Sequence, residues 1–114
     1  MGDFAAKTCR EMGCKASVPV QLIEYRMCVF HFSLFVEQEC AEIRRETALG
    51  RSTHDRQLEC IRQIAANGKT LVSVAMNGFP LPDEVKARIL STVLTLINCR
   101  ESMDRASLRH PGPL

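Results

Sequence analysis

The sequence predicts a mainly α-helical protein, a three-helix antiparallel bundle preceded by a small N-terminal segment with a tight turn and short β-strands. Apolar residues recur every three or four positions along three stretches, which is the period of helices that bury one face. Breaks containing glycine or proline separate these stretches. The segment before them is short, rich in β-branched residues and interrupted by Pro19. We expect residues 1–31 to form the N-terminal unit, 32–106 the bundle and 107–114 a disordered tail.

The composition is that of one folded domain. Of 114 residues, 46% are apolar and 25% are charged, and the formal net charge is +2. This charge is too small to indicate nucleic acid or an anionic membrane as the main partner. No apolar run is long enough to cross a bilayer, and the first residues lack a secretory signal pattern. We therefore expect a cytoplasmic protein with no membrane partner, whose six cysteines are metal ligands or buried thiols rather than disulfides.

The first helix is predicted over residues 29–49. Gly50 follows its last turn, where a residue with positive φ commonly ends a helix. Arg44 and Arg45 lie toward this end, where the helix dipole favours cations. The apolar stripe that we expect to be buried steps by three and four positions through Phe32, Phe35, Val36, Cys40 and Ile43.

The second helix is predicted to begin at a capping residue, Ser52 or Thr53, and to end at Asn77. The Asn67-Gly68 pair within it allows two interpretations. Asn-Gly is a strong turn signal, so the helix could stop just before it and a separate segment could follow. We favour one helix, because the apolar period continues through the glycine. Gly68 would then face inward and allow another helix to come close.

The third helix begins with Pro82, Asp83 and Glu84, a proline in the first turn followed by acids near the positive end of the helix dipole. We expect it to fade near residues 102–105. Its apolar face, over residues 85–97, is wider than a single core contact requires. This width predicts burial on more than one side, and it suggests a protein partner or a homodimer formed through residues 85–97.

Two closely spaced pairs of metal-binding residues lie near the N-terminus: Cys9 and Cys14, then Cys28 and His31. Zinc prefers such thiolate and imidazole ligands in a tetrahedron, and short spacings close the chelate at little entropic cost. Because protein would fill all four positions, we expect one structural zinc ion rather than a catalytic one. The alternatives are reduced thiols or a Cys9–Cys14 disulfide, with His31 a polar residue at a helix start. Iron–sulfur ligation more often uses four cysteines.

The order of parts around these residues is as informative as their spacing. A turn at residues 12–15 accompanies the first pair, one or two strands over residues 18–27 follow, and a helix start supplies the second pair. This order resembles the treble-clef group of zinc fingers, in which the last ligand pair comes from the start of the helix. The resemblance covers roughly residues 9–43, and the four-residue spacer of the first pair departs from the usual pattern.

The other reactive residue types have structural interpretations. Cys40, Cys60 and Cys99 fall on or beside helical stripes and are expected to be core residues. His54 is expected at the surface. The sequence has no Ser-His-Asp arrangement, no phosphate-binding glycine loop and no HExxH motif, so we predict no enzymatic activity.

Three functions are compatible with these features. The first is a non-enzymatic interaction or assembly module that contains zinc. The second is a nucleic-acid-binding transcriptional regulator, which would use the arginines between residues 44 and 62. Acidic residues interleave with those arginines, so we expect a solvated surface of mixed charge there. The third is a thiol or zinc redox sensor based on the Cys/His cluster. We favour the first.

Overall fold

The computed structural model of the chain describes residues 8–109. Three long helices pack together: α1 covers Val29–Ala48, α2 covers His54–Met76 and α3 covers Asp83–Arg109. A short 3-10 helix, Val20–Leu22, precedes them. The predicted mainly α-helical class with three helices is therefore confirmed.

Polar contacts between α1 and α2 show that these helices run in opposite directions. Near the end of α1, Glu46 accepts hydrogen bonds from Arg56, which lies in the first turn of α2. Nearer the middle of α1, Glu39 accepts a hydrogen bond from Asn67 of α2. Residue number thus rises along α1 as it falls along α2, as an antiparallel pair requires.

Contacts between α1 and α3 show that these two helices run in the same direction. Glu37 accepts a hydrogen bond from Arg88, whereas the Cys99 thiol, eleven residues further along α3, lies 3.8 Å from the carbonyl oxygen of Cys40. Residue number rises along both helices, so α2 is antiparallel to both of its neighbours. The bundle has the up-down-up arrangement that the short connections favour.

Local sequence signals explain where the helices begin and end. The backbone N–H of Arg56 donates to the Thr53 hydroxyl at 3.1 Å, so Thr53 rather than Ser52 caps α2. Gly50 follows α1 with a φ of 68°, a left-handed conformation that glycine adopts without steric cost. The third helix extends beyond the predicted end near residues 102–105, because neither glycine nor proline interrupts the chain before residue 111.

The second helix is continuous through Gly68, as favoured from its apolar period. Gly68 lies against α3, where a Cβ atom would be 3.7 Å from the Cδ1 of Leu96. Glycine at this position thus lies at the contact between the two helices. The turn signal of Asn67-Gly68 is overridden because Asn67 is buried and its amide bonds to Glu39 across the helix pair.

The prediction of short β-strands in the N-terminal segment is wrong. Within residues 8–109 there is no strand, and the single β-bridge joins Thr8 to Ser17. Residues 20–26 instead form a 3-10 turn followed by further turns, in which the amides of Tyr25 and Arg26 both donate to the carbonyl of Leu22 at 3.0 Å. These local bonds satisfy the backbone where no partner strand is available.

The apolar core extends from the N-terminal segment to the end of the bundle. Leu22 and Phe32 are fully buried at one end, and Cys99 and Met103 are buried near the other. The N-terminal segment is therefore part of the same core as the helices. The predicted disordered tail falls partly on α3, and residues 110–114 lie outside the described residues.

Candidate metal centre

Two pairs of side chains, separated by thirteen residues of sequence, meet at the N-terminal end of α1. They are Cys9, Cys14, Cys28 and His31, and one ligand atom from each lies within 4.8 Å of all the others. Cys9 and Cys28 are buried, while Cys14 and His31 are half-buried. These four residues are thus positioned to bind one metal ion, and they are the four that the spacing of the sequence identified.

Backbone hydrogen bonds hold the first pair in place. The amide of Cys9 donates to the carbonyl of Ala16 at 3.0 Å, and the amide of Cys14 donates to Glu11 at 3.0 Å across a tight turn. Gly13 has a φ of 82° within this turn, which a residue with a Cβ atom rarely adopts. The chain therefore folds back on itself and brings both sulfurs to the same side.

The second pair belongs to the start of α1. Cys28 is the N-cap residue of the helix, and its sulfur accepts a hydrogen bond from the backbone amide of His31 at 3.5 Å. The spacing of three residues puts both side chains on the first turn, facing the same way. A backbone bond of 2.7 Å from the amide of Arg10 to the carbonyl of Arg26 brings the first pair against this turn.

Three of the six separations between ligand atoms are close to those of a tetrahedral site. The Nδ1 of His31 lies 3.3 Å from the sulfur of Cys28 and 3.4 Å from that of Cys9. The sulfurs of Cys14 and Cys28 are 3.9 Å apart. Bond lengths to zinc imply edges of about 3.8 Å between two sulfurs and about 3.6 Å between sulfur and nitrogen. The remaining pairs lie within 4.8 Å, so binding of one ion would require them to move by at most about 1 Å.

The thiols of Cys9 and Cys28 lie close enough to change each other's pKa. Burial raises the pKa of Cys28 to about 11, and the adjacent Cys9 adds to this effect. Burial also opposes ionisation of Cys9, but the nearby backbone at Cys28 and Glu11 favours its thiolate, and the pKa of Cys9 is lowered from the ordinary value of a thiol. A cation at the centre of the cluster would stabilise all of these thiolates together.

An aromatic cluster lies beside the four candidate ligands. Phe32, the residue after His31, is fully buried, and its ring centroid lies 4.9 Å from that of Tyr25 and 6.2 Å from that of Phe35. Both centroid separations fall within the range of about 4.5–7 Å over which aromatic rings attract one another. Because Tyr25 comes from the N-terminal segment, the cluster joins this segment to α1 independently of any ion.

A polar network, which the sequence pattern did not indicate, connects the first turns of α1 to α3. The carboxylate of Glu37 accepts one hydrogen bond from Arg88 at 2.8 Å and another from the hydroxyl of Thr92 at 2.7 Å. The guanidinium of Arg88 also lies 5.4 Å from the ring centroid of Phe30. This network fixes the end of α1 that carries the metal ligands relative to the rest of the bundle.

The other three cysteines do not join the cluster. Cys40, Cys60 and Cys99 are buried, one in each helix, as expected for core residues. The contact with Cys99 and burial both raise the pKa of Cys40, so its thiol stays protonated at neutral pH. His54 is exposed at the start of α2, as expected.

The chain matches no protein-family model, and neither the characterised proteins nor the solved structures yield a significant match. Within residues 8–109, no helix combines the length and the apolar character needed to span a membrane. The functional interpretation therefore rests on the geometry of the site itself.

Proposed function

We propose that this chain is a non-enzymatic zinc-binding protein, in which one structural ion fastens the N-terminal segment to α1 and the helical body acts as an interaction module. The observation that carries this proposal is the meeting of Cys9, Cys14, Cys28 and His31, with ligand atoms no more than 4.8 Å apart. When bound, zinc would supply four bonds that link the turn at residues 9–14 to the first turn of α1.

The donor set favours zinc over other ions. Three sulfurs and one imidazole are soft or borderline ligands, which suit zinc and not magnesium or calcium. The sulfurs of Cys14 and Cys28 are 3.9 Å apart, which suits a single ion better than a cluster of several irons. Because the protein offers four ligands, no coordination position is left for water, as is usual for a structural site.

The arrangement supports the resemblance to treble-clef zinc fingers in one respect and departs from it in another. Cys28 and His31 come from the start of a helix, as the last ligand pair does in that group. Between the two pairs, however, the chain forms a 3-10 helix and turns in place of strands. We therefore propose a zinc-finger-like site without assigning it to the group.

The charges between residues 44 and 62 weaken the case for nucleic acid. Of the five arginines there, Arg45 pairs with Glu42, and Arg56 pairs with both Glu46 and Glu59. Arginines that are engaged with carboxylates are less available for phosphate contacts, and acidic residues interleave with the other three. The nucleic-acid-binding function is the weaker candidate for this reason.

A thiol redox sensor is the second candidate, because Cys14 is only half-buried and its sulfur lies 3.9 Å from that of Cys28. Hydrogen peroxide would oxidise these two thiolates to a disulfide: an S–S bond forms, the two electrons break the O–O bond, and two protons from solvent complete two water molecules, with loss of the ion. Reversible zinc release by mild peroxide would support this function, and retention of zinc under peroxide would exclude it.

Cobalt substitution tests the proposed centre directly. Co²⁺ added to the full chain should give the absorption of a tetrahedral ion with thiolate ligands, and cyanide should not change the spectrum because all four positions are filled. Cys14→Ser should alter this spectrum, while the matched variant Cys60→Ser should leave it unchanged. An octahedral cobalt spectrum, or a spectrum that responds to cyanide, would contradict the proposal.

A further inference from the structure

We propose that the partner of the helical body is a second copy of this chain, and that two α3 helices pack antiparallel across a twofold axis between Val93 and Leu94. This inference specifies the partner in the interaction module proposed above. It does not depend on the metal, because the residues that carry it lie on α2 and α3, away from the Cys/His cluster. Two observations support this dimer: apolar side chains are exposed on α2 and α3, and charged residues stand in a particular order along α3.

The surface begins at a groove between α2 and α3. The groove has a volume of about 750 Å³ and is lined mainly by apolar side chains. Gly68 lies at the contact between the helices, Val72 belongs to the α2 wall, and Ile97 belongs to the α3 wall. Neither Val72 nor Ile97 is covered by another part of the described chain, since both are exposed.

An apolar stripe on α3 continues from this groove onto the open surface. Leu90 is 68% exposed and Leu94 is 60% exposed, although leucine is usually buried. With Val72, Met76 and Ile97 they expose on the order of 500 Å², close to the largest apolar patch of a typical monomer. A twofold interface would bury two such patches, roughly 1,000 Å² in total, which lies at the low end for biological interfaces and fits a weak dimer that forms at micromolar concentrations.

The charges at the two ends of the stripe identify the partner and its direction. Residues 86, 90, 94, 97 and 101 follow one another at helical spacing, so Lys86, Leu90, Leu94, Ile97 and Glu101 share one face of α3. A cation stands at one end and an anion at the other, with apolar residues between them. Such a stripe is complementary to itself only when the second copy runs in the opposite direction.

Antiparallel packing makes specific pairs. Lys86 of one copy meets Glu101 of the other, Leu90 meets Ile97, and Val93 meets Leu94. Both charged side chains are exposed, and neither forms an ion pair within residues 8–109. Parallel packing in register would instead place lysine against lysine and glutamate against glutamate, which is unfavourable.

Acidic residues beyond the ends of the stripe oppose this register only weakly. Asp104 lies one turn beyond Glu101 and would approach Asp83 of the other copy. Within its own chain, however, Asp104 accepts a hydrogen bond from Arg100 at 3.2 Å, and this exposed ion pair reduces the repulsion between the two aspartates.

Sedimentation equilibrium of the full chain with one equivalent of zinc tests the dimer. We expect the mass to approach twice 12.8 kDa as the concentration rises through the micromolar range. Leu94→Glu should keep the chain monomeric. Leu49→Glu is the matched control, since Leu49 is a similarly exposed leucine outside the proposed surface. A wild-type mass that stays at 12.8 kDa would overturn the proposal and leave a different protein as the partner of this surface.

Charge reversal tests the register. Lys86→Glu and Glu101→Lys should each weaken the dimer about tenfold, because the twofold axis repeats every pair. The double variant should restore the wild-type dissociation constant. Failure of the double variant to restore it would contradict antiparallel pairing. Zinc content measured on the same samples separates the two proposals: a zinc-bound monomer contradicts only the dimer, and a zinc-free dimer contradicts only the metal centre.

Discussion

Cys28 caps α1 with the same sulfur that lies 3.3 Å from the Nδ1 of His31. One side chain therefore takes part both in starting the helix and in the candidate metal centre. The backbone amide of His31 donates to this sulfur and lowers the pKa of the thiol, but burial outweighs this effect and only a bound cation would offset it. Formation of the first turn of α1 and binding of an ion should accordingly support one another.

Two substitutions at Cys28 separate these roles. Cys28→Ser preserves a capping oxygen but removes a good zinc ligand, so the variant should lose zinc. At free zinc about 1,000 times the dissociation constant, this loss should lower the free energy of unfolding by about 4 kcal/mol. Cys28→Ala should lose about 1 kcal/mol more, because the cap is removed as well. Urea unfolding with and without zinc measures both effects.

The matched control is Cys60→Ser, which changes a buried cysteine outside the cluster. It should lower stability equally with and without zinc, because it does not contact the ion. If Cys28→Ser behaved in the same way as Cys60→Ser, zinc would not contribute to folding through Cys28.

Removal of zinc should loosen the N-terminal segment while leaving the bundle folded. The segment retains its aromatic contact with α1, and the side-chain amide of Gln21 donates to the hydroxyl of Ser73 on α2 at 3.3 Å. The helices have their own core and polar contacts. Hydrogen exchange after chelation should therefore accelerate at residues 9–28 and stay slow in α2 and α3. Uniform acceleration along the chain would show that the ion holds the whole fold together.

The hydrogen bond between the buried hydroxyl of Thr92 and the half-buried carboxylate of Glu37 should contribute to the free energy of unfolding. Thr92 is fully buried, and Thr92→Val keeps its shape while removing the donor to the carboxylate. We expect a loss of about 1–3 kcal/mol, because the hydrogen bond is to a charged group. Thr95→Val is the control in the same helix, since among the residues that the structure describes the Thr95 hydroxyl bonds only to the carbonyl of Ser91. Equal effects of the two variants in thermal unfolding would contradict this role for Glu37.

Gly68 and Gly50 should respond to alanine in opposite directions. A Cβ atom at Gly68 would meet Leu96 at 3.7 Å, an ordinary contact, so Gly68→Ala should stabilise α2 by about 0.5–1 kcal/mol. Gly50 has a φ of 68°, so Gly50→Ala should cost about 1 kcal/mol despite the open space around it. A destabilising Gly68→Ala in urea unfolding would mean that α2 and α3 pack more tightly than this contact allows.

The helices and the metal ligands could be predicted from the sequence because both depend on local spacing. The stripe from Phe32 to Ile43 has the helical period, and Gly50 supplies the left-handed residue after it. Cys28 and His31 lie close together because a helix that begins at Val29 puts both of them on its first turn. Their approach to Cys9 depends on tertiary structure, but the chemistry of the four residue types already indicated it.

The N-terminal segment could not be predicted by the same means. Its β-branched residues suggested strands, yet Val20 is exposed while Val18 and Leu22 are buried. In a strand all three side chains would lie on one face, whereas a helical turn puts Val20 on the opposite side from Val18 and Leu22. The sequence alone could not distinguish the two, because the segment is too short for periodicity to decide. The contact of Glu37 with Arg88 and Thr92 was missed for a different reason: it joins residues more than fifty positions apart, which no local pattern reports.

The most direct test of the account is the metal content of the full chain, purified without chelator and measured by native mass spectrometry. We expect one zinc ion per chain in the wild-type protein, with all six cysteines reduced, and none in Cys28→Ser. A wild-type chain that carries no metal, or that contains a Cys9–Cys14 disulfide in its place, would contradict the central claim that these four residues hold a structural ion.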